Sequence, residues 1–131
     1  MSCQDPISMA IVSIRNGLKA RKDHVVIPGS KLKTEIIKIL FEEGYIKDYK
    51  IINNKTSFDI KVLLKYDGNG PAISELKRSS KLSRRLYVDK QEVKKIRNGM
   101  GISILTTSHG IMTDLKARKL GIGGEIICTV W

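Results

Sequence analysis

The chain is predicted to be an α+β protein of two small lobes: an N-terminal α/β lobe and a β-rich C-terminal lobe with a short helix. Three observations predict this. Residues 5–66 read in the order helix, strand, helix, hairpin, which makes a compact α/β unit. A turn-rich stretch follows, Tyr66-Asp67-Gly68-Asn69-Gly70-Pro71, and marks a boundary. Beyond it, apolar residues come mostly in short strand-like runs. The lobes are assigned to residues 1–66 and 73–131, with 67–72 as the linker.

Asp5-Pro6 opens the first helix, an N-cap acid followed by proline at the first helical position. Ile7, Ile11, Ile14 and Leu18 then recur at spacings of four, three and four, which defines one inward face. Arg15, Asn16 and Lys19 fall off that face, and Arg21-Lys22 closes the helix where cations suit its dipole. Val25-Val26-Ile27 is a short β-branched strand stopped by Pro28-Gly29. His24 at its edge has no second histidine or cysteine nearby and reads as a solvent-facing turn residue.

Ser30 caps a second helix that ends at Gly44, with Leu32, Ile36, Ile37 and Leu40 expected inward. Lys31 and Lys33 stand in its first turn. Beside the free amides of the helix start they could grip a phosphate, or they could form an ordinary solvated basic face. Residues 45–52 and 56–64 read as two strands joined at Asn53-Asn54. The second alternates, with Phe58, Ile60, Val62 and Leu64 inward.

In the C-terminal lobe, residues 73–78 and 86–88 read as short strands and 91–96 as a helical turn. This region holds the densest charge: Lys77, Arg78, Lys81, Arg84, Arg85, Lys90, Lys94, Lys95 and Arg97 against Glu75, Asp89 and Glu92. Tyr87 sits in that run. It could stack on a base or sugar, or be a half-buried strand residue. Ile102 and Ile104 mark an alternating strand, followed by Thr106-Thr107-Ser108-His109-Gly110. A helix opens near Thr113-Asp114, glycines 121, 123 and 124 break it, and a strand runs to Trp131. That last strand is expected to pair with the strand ending at Leu105, with Ile127 and Thr129 facing away from Ile126, Cys128 and Val130. The hydroxyl-rich turn admits two readings. Its small donors and glycine would let a nucleic acid backbone come close; equally, Ser and Thr after a strand often bond only their local backbone.

Charge narrows the function. The chain has 24 Lys and Arg against 13 Asp and Glu, a formal net charge of +11. Residues 1–70 carry +4 of this and residues 71–131 carry +7. Such an excess is the footprint of a polyanion partner, and nucleic acid is favoured. No basic amphipathic helix with Trp or Phe on its apolar side suggests a membrane surface, and no apolar run is long enough to span one. Cys3 and Cys128 belong to no CxxC pair, as expected of free thiols in a cytoplasmic protein. Ser108 and His109 are sequence neighbours without a third catalytic partner, and Gly99-Met100-Gly101 lacks a dinucleotide loop's third glycine. No phosphate-binding loop, metal-ligand cluster or paired-carboxylate site is present, so neither an enzyme nor a cofactor is expected.

The residues resemble the bacterial small-subunit ribosomal protein eight family. The likeness runs through Asp5-Pro6-Ile7, Ile14-Arg15-Asn16, Ser30-Lys31-Leu32-Lys33 and Glu43-Gly44-Tyr45-Ile46. It is densest over the tail, from Gly101-Ile102-Ser103 through Ser108-His109-Gly110 and Gly123-Gly124-Glu125 to Val130-Trp131. The resemblance implies two tightly associated lobes and a primary binder of the central domain of small-subunit rRNA that nucleates platform assembly. It implies contact with neighbouring ribosomal proteins, and binding to the messenger of its own operon. By the same resemblance the main RNA contact is Thr106, Thr107 and Ser108 with His109 and Gly110. Tyr87 and Glu125 contact or support the RNA, and Arg15, Asn16, Ser30, Lys31 and Lys33 form a secondary contact. Arg84 and Arg85 add basic contacts. They follow Leu82-Ser83, where the family usually has Pro-Gly; the family's loop usually starts with Ser and has Lys where this chain has His109. Glu125 would either accept from a base amino group or support the loop through Ser and backbone donors. A structured-RNA regulator acting outside the ribosome is the competing expectation.

Overall fold

The computed structural model describes residues 6–68, 70–79, 87–89 and 101–131. The expected N-cap Asp5, the Leu82-Ser83 turn, Arg84, Arg85 and the helical turn at 91–96 lie outside them. The chain has a mixed α+β fold with antiparallel sheets. Its described residues fall into two compact units, Pro6–Ser74 and Glu75–Trp131.

In the first unit, α1 (Pro6–Lys19) buries Ala10, Ile11, Ile14, Gly17 and Leu18, the face that the spacing marked out. Its end is closed without glycine. Arg21 takes a left-handed φ of 59°, and Lys22 N donates to Gly17 O at 2.9 Å. Tyr66 completes the cap: its hydroxyl donates to Lys22 O at 2.7 Å, and the Arg21 guanidinium lies 5.5 Å from its ring centre. Burial raises the Tyr66 phenol above its ordinary value. Strand β1 (His24–Pro28) pairs with β3 (Phe58–Leu64), and β3 with β2 (Ile46–Asn53), all antiparallel. Ile60, Val62 and Leu64 are buried in the expected alternation. A further small sheet pairs β4 (Tyr66–Asp67) with β5 (Gly70–Pro71), antiparallel.

Helix α2 (Lys31–Glu42) departs from expectation at its start. Ser30 Oγ accepts from Lys33 N at 3.1 Å, as an N-cap should. The phase this sets puts Lys33, Ile36, Ile37 and Leu40 inward and leaves Leu32 at the rim, 37% exposed. Lys33 therefore occupies the core position assigned to Leu32. The swap is tolerated because its methylenes cover the core while Nζ donates to Pro28 O at 2.7 Å. Burial lowers the Lys33 pKa below its ordinary value.

The second unit is organised by β10 (Gly124–Val130). One edge of it pairs with β8 (Ile102–Thr107), which carries β9 (Gly110–Thr113) on its far side. The other edge pairs with β6 (Leu76–Arg78) and then with β7 (Tyr87–Val88). Helix α3 (Asp114–Leu120) starts at the N-cap Thr113 and ends at Gly121, whose φ of 69° suits glycine. Leu105, Met112 and Ala117 form a buried cluster with Ile122 and Ile126 packed against it. Past the last β8–β9 pair, the buried Asp114 carboxylate accepts from Ser103 N at 3.1 Å and pairs with Arg118 at 3.2 Å. It stands in where the β9 ladder ends.

The expected pairing of the last strand with β8 is found, but its simple alternation is not. The register runs Val130↔Ile102, Thr129↔Ser103, Cys128↔Ile104, then shifts so that Ile126 opposes Leu105 and Glu125 opposes Thr106. Ile127 is the extra residue of a β-bulge. Directly paired residues share a side of the sheet, so Ile126 and Cys128 lie on opposite sides. Trp131 is tied in as well, exchanging backbone bonds with Glu75 at 2.9 and 3.0 Å.

Cys128 and Val130 are fully buried, and the valine side chain alone contributes about 1.5–3 kcal/mol by burial. Deleting residues 128–131 would remove these and the partners of β6 together. Thermal or urea melting of the truncated chain is expected to show the Glu75–Trp131 unit unfolded. Unchanged cooperative melting would contradict the central place given to β10.

Candidate nucleic-acid interface

The hydroxyl-rich stretch is the β8–β9 hairpin. Thr107 opposes Gly110, so Ser108 and His109 form a two-residue turn at its tip. Gly110 has a φ of 106°, a conformation that a side chain would strain. An added Cβ there would meet nothing within 4 Å, so the flank of the turn is open. Ser108, His109 and Gly110 are exposed, while Thr106 and Thr107 are half-buried.

The three hydroxyls do different things. Thr107 Oγ1 donates to Gly110 O at 2.9 Å and accepts from His109 N at 3.0 Å. It also lies 3.9 Å from Met112 Sδ, on the side of the sheet covered by α3. Thr107 is thus the internal brace of the turn. Ser108 Oγ is 3.2 Å from His109 Nδ1 at the exposed tip. Thr106 lies on the opposite side of the sheet from Thr107, because successive residues of a strand alternate. The local-backbone reading of this stretch therefore holds for Thr107, while Ser108 stands exposed.

Thr106 heads a cross-strand row. On one side of it β9 brings Ile111; on the other, β10 brings Glu125 and β7 brings Tyr87. Strands about 4.8 Å apart make this row roughly 14 Å long. Tyr87 is 64% exposed, so its ring is open to solvent, whereas Glu125 is only 8% exposed. An aromatic residue, a hydroxyl and the open turn thus lie along one margin of the sheet, with the nearly buried Glu125 between the tyrosine and Thr106. Gly124 allows this closeness: a Cβ there would come within 2.3 Å of Thr106 O and 2.9 Å of Thr107 Cγ2. In sequence Gly124 reads as part of a glycine break after the helix. Its place at the start of a strand was the available hint of close backbone approach.

The N-terminal candidates lie in the first unit and on separate elements. Arg15 and Asn16 are exposed on α1. Asn16 lines a shallow groove of about 540 Å³ with Ser13, Lys22 and His24. Lys31 is exposed at the start of α2, and Ser30 is half-buried, its hydroxyl already used as the cap. Lys33 faces inward, so the pair of lysines expected at this helix start reduces to Lys31. Arg84 and Arg85 lie outside the described residues.

Comparison with known proteins places this architecture in context. A model of the ribosomal protein S8 family matches residues 5–131. Small ribosomal subunit protein uS8 of Thermodesulfovibrio yellowstonii is 51% identical over 128 residues, covering 97% of this chain and 98% of that protein. The protein of the same name from Halothermothrix orenii is 51% identical over 132 residues and covers both chains fully. That from Geobacter sulfurreducens is 46% identical, again over the whole of both.

The bracing role of Thr107 is open to direct measurement. Thr107→Val keeps the β-branched shape and removes both hydroxyl bonds, at an expected cost of about 0.5–1.5 kcal/mol. A lower urea midpoint at unchanged slope would report it. An unchanged midpoint would contradict the brace.

Proposed function

The chain belongs to the ribosomal protein S8 family, and from that premise we propose where and how it binds RNA. As a member it is a structural, RNA-binding component of the small ribosomal subunit and not an enzyme. The finer reading is a primary binder of the central domain of small-subunit rRNA that nucleates platform assembly, and that also binds its own messenger. The observation that carries this reading is the row of Tyr87, Glu125 and Thr106 running into the open turn at Ser108, His109 and Gly110.

The chemistry of that margin suits a folded RNA. Bases in irregular regions expose faces and edges that a regular duplex hides, and proteins read them by stacking and short hydrogen bonds. The exposed Tyr87 ring offers the stacking face. Thr106 and Ser108 each offer a donor and two acceptor positions without bulk. Gly110 lets a sugar or phosphate approach the turn. Glu125, nearly buried between Thr106 and Tyr87, is withdrawn from phosphates and supports the row from within. Thr107 contributes rigidity, which lowers the ordering cost of binding.

Charge supplies the rest. The excess of +7 over residues 71–131, to which Arg84 and Arg85 contribute, attracts the phosphate backbone whatever the sequence. Arg15, Asn16, Ser30 and Lys31 in the first unit form the secondary contact, with Lys31 as a point charge on phosphate. His109 stands at the turn where the family usually has a lysine.

Ser108→Ala is expected to weaken binding to intact bacterial small-subunit rRNA by about 1–3 kcal/mol, while affinity for bulk transfer RNA changes little. Lys31→Ala should cost less and weaken both RNAs alike, as loss of a phosphate contact does. Equilibrium binding at fixed salt checks both. If Lys31→Ala were the more damaging and the more selective of the two, the assignment of the main contact to the hairpin would be wrong.

A further inference from the structure

The register of β10 raises a question about Glu125. Counting back from Val130 without interruption, Ile127 would oppose Leu105, Ile126 would oppose Thr106, and Glu125 would oppose Thr107. Glu125 would then share the side of Leu105 and Met112 and press a carboxylate against the apolar cluster beneath α3. The bulge prevents this. With Ile127 as the extra residue, Ile126 opposes Leu105 and joins that cluster, and Glu125 opposes Thr106 and Tyr87. One inserted residue decides on which side of the sheet the carboxylate stands.

What holds the bulge is visible at the other edge of β10. That edge is shared by two short strands: β6 pairs as far as Cys128, and β7 takes up at Glu125. The bulge falls in the gap between them. There the Ile127 carbonyl accepts twice, from Ser79 N at 2.9 Å and from Arg78 Nη1 at 2.7 Å. Arg78 is the direct partner of Cys128, so its side chain rises on the same side of the sheet as Glu125, Thr106 and Tyr87. Its length and planar fork let it reach along the strand to the bulge while its own backbone stays in the ladder. A hydrogen bond from a charged donor is roughly twice as strong as a neutral one, and it lies where the ladder is interrupted.

We infer that Arg78 is a positioning residue for RNA specificity: by bonding the Ile127 carbonyl it holds the β10 bulge that sets Glu125 beside Thr106 and Tyr87. The inference rests on the reading of that row as the main RNA contact. It assigns a basic residue of the C-terminal run a role other than neutralising phosphate, and the two roles leave different traces. A phosphate contact adds affinity for every RNA, whereas a positioning residue changes the ratio between cognate and bulk RNA.

The test measures that ratio, for intact bacterial small-subunit rRNA over bulk transfer RNA at fixed salt, with Arg78→Ala and Arg78→Lys in the full chain. Arg78→Ala is expected to lower it about tenfold with cooperative melting retained. Arg78→Lys keeps the charge but replaces the rigid fork with a flexible ammonium, and should lower it about threefold. An unchanged ratio with Arg78→Ala overturns the inference, whether both affinities fall together or neither moves. If Arg78→Ala does not melt cooperatively, Arg78→Lys decides, and a native ratio there overturns it. Ser108→Ala, measured alongside, separates two failures. If it also leaves the ratio unchanged, the hairpin reading falls; if it alone lowers the ratio, only the role of Arg78 falls.

Discussion

The second unit depends on β10 having both of its edges occupied. A strand paired on one edge alone would leave a row of open backbone donors and acceptors. Here β8 takes one edge, while β6 and β7 share the other. The strand thus gathers segments from residue 76 to residue 130 into one sheet. Contacts that distant in sequence form only when much of the unit orders together. The Trp131–Glu75 backbone exchange closes the sheet at one end, and the hairpin tip projects from the other end of β8. The turn that meets solvent is therefore carried by the most interconnected part of the unit, which is how a short loop of small residues can be held to one geometry.

Much of this was legible in the residues because it follows simple periods. The inward face of α1, the alternation of β3, the caps at Ser30 and Thr113 and the stop at Gly121 each rest on local rules, and each is found. The misses share a cause, which is that a partner outside the residue's own element decided the matter. Lys33 reads as a surface residue until Pro28 O is seen to receive its ammonium. A bulge at Ile127 leaves no mark in a run of apolar residues; it follows from Ile126 fitting the Leu105 cluster where Glu125 would not. The candidate site was legible as a stretch and not as a geometry. Three hydroxyls in a row look equivalent in sequence, yet Thr107 braces the turn from beneath while Ser108 stands exposed. Tyr87 and Glu125 lie 38 residues apart in sequence and meet only because β7 pairs with β10.

This arrangement separates affinity from discrimination. The basic excess is spread over the chain and acts at long range, so it attracts RNA of any sequence and weakens with salt. In the proposed reading the hairpin margin is small and rigid and offers mainly short polar groups, so it adds little unless the RNA presents a matching surface. A protein that selects one site among much other RNA needs both: the first to speed encounter, the second to reject wrong partners.

The central claim, that the β8–β9 turn seats against one site of the rRNA, is tested most directly by cleavage from a tethered reagent. An iron chelate attached through His109→Cys in a Cys3→Ser background would generate hydroxyl radicals at the tip of the turn. Cys128 would stay unmodified, since burial removes it from solvent and pushes its thiol up to about 12. In the complex with intact small-subunit rRNA, strand cleavage is predicted within a single short segment, with weaker cleavage from the same chelate at Lys55 in the β2–β3 turn. Strong cleavage from position 55 with none from position 109 would contradict the account.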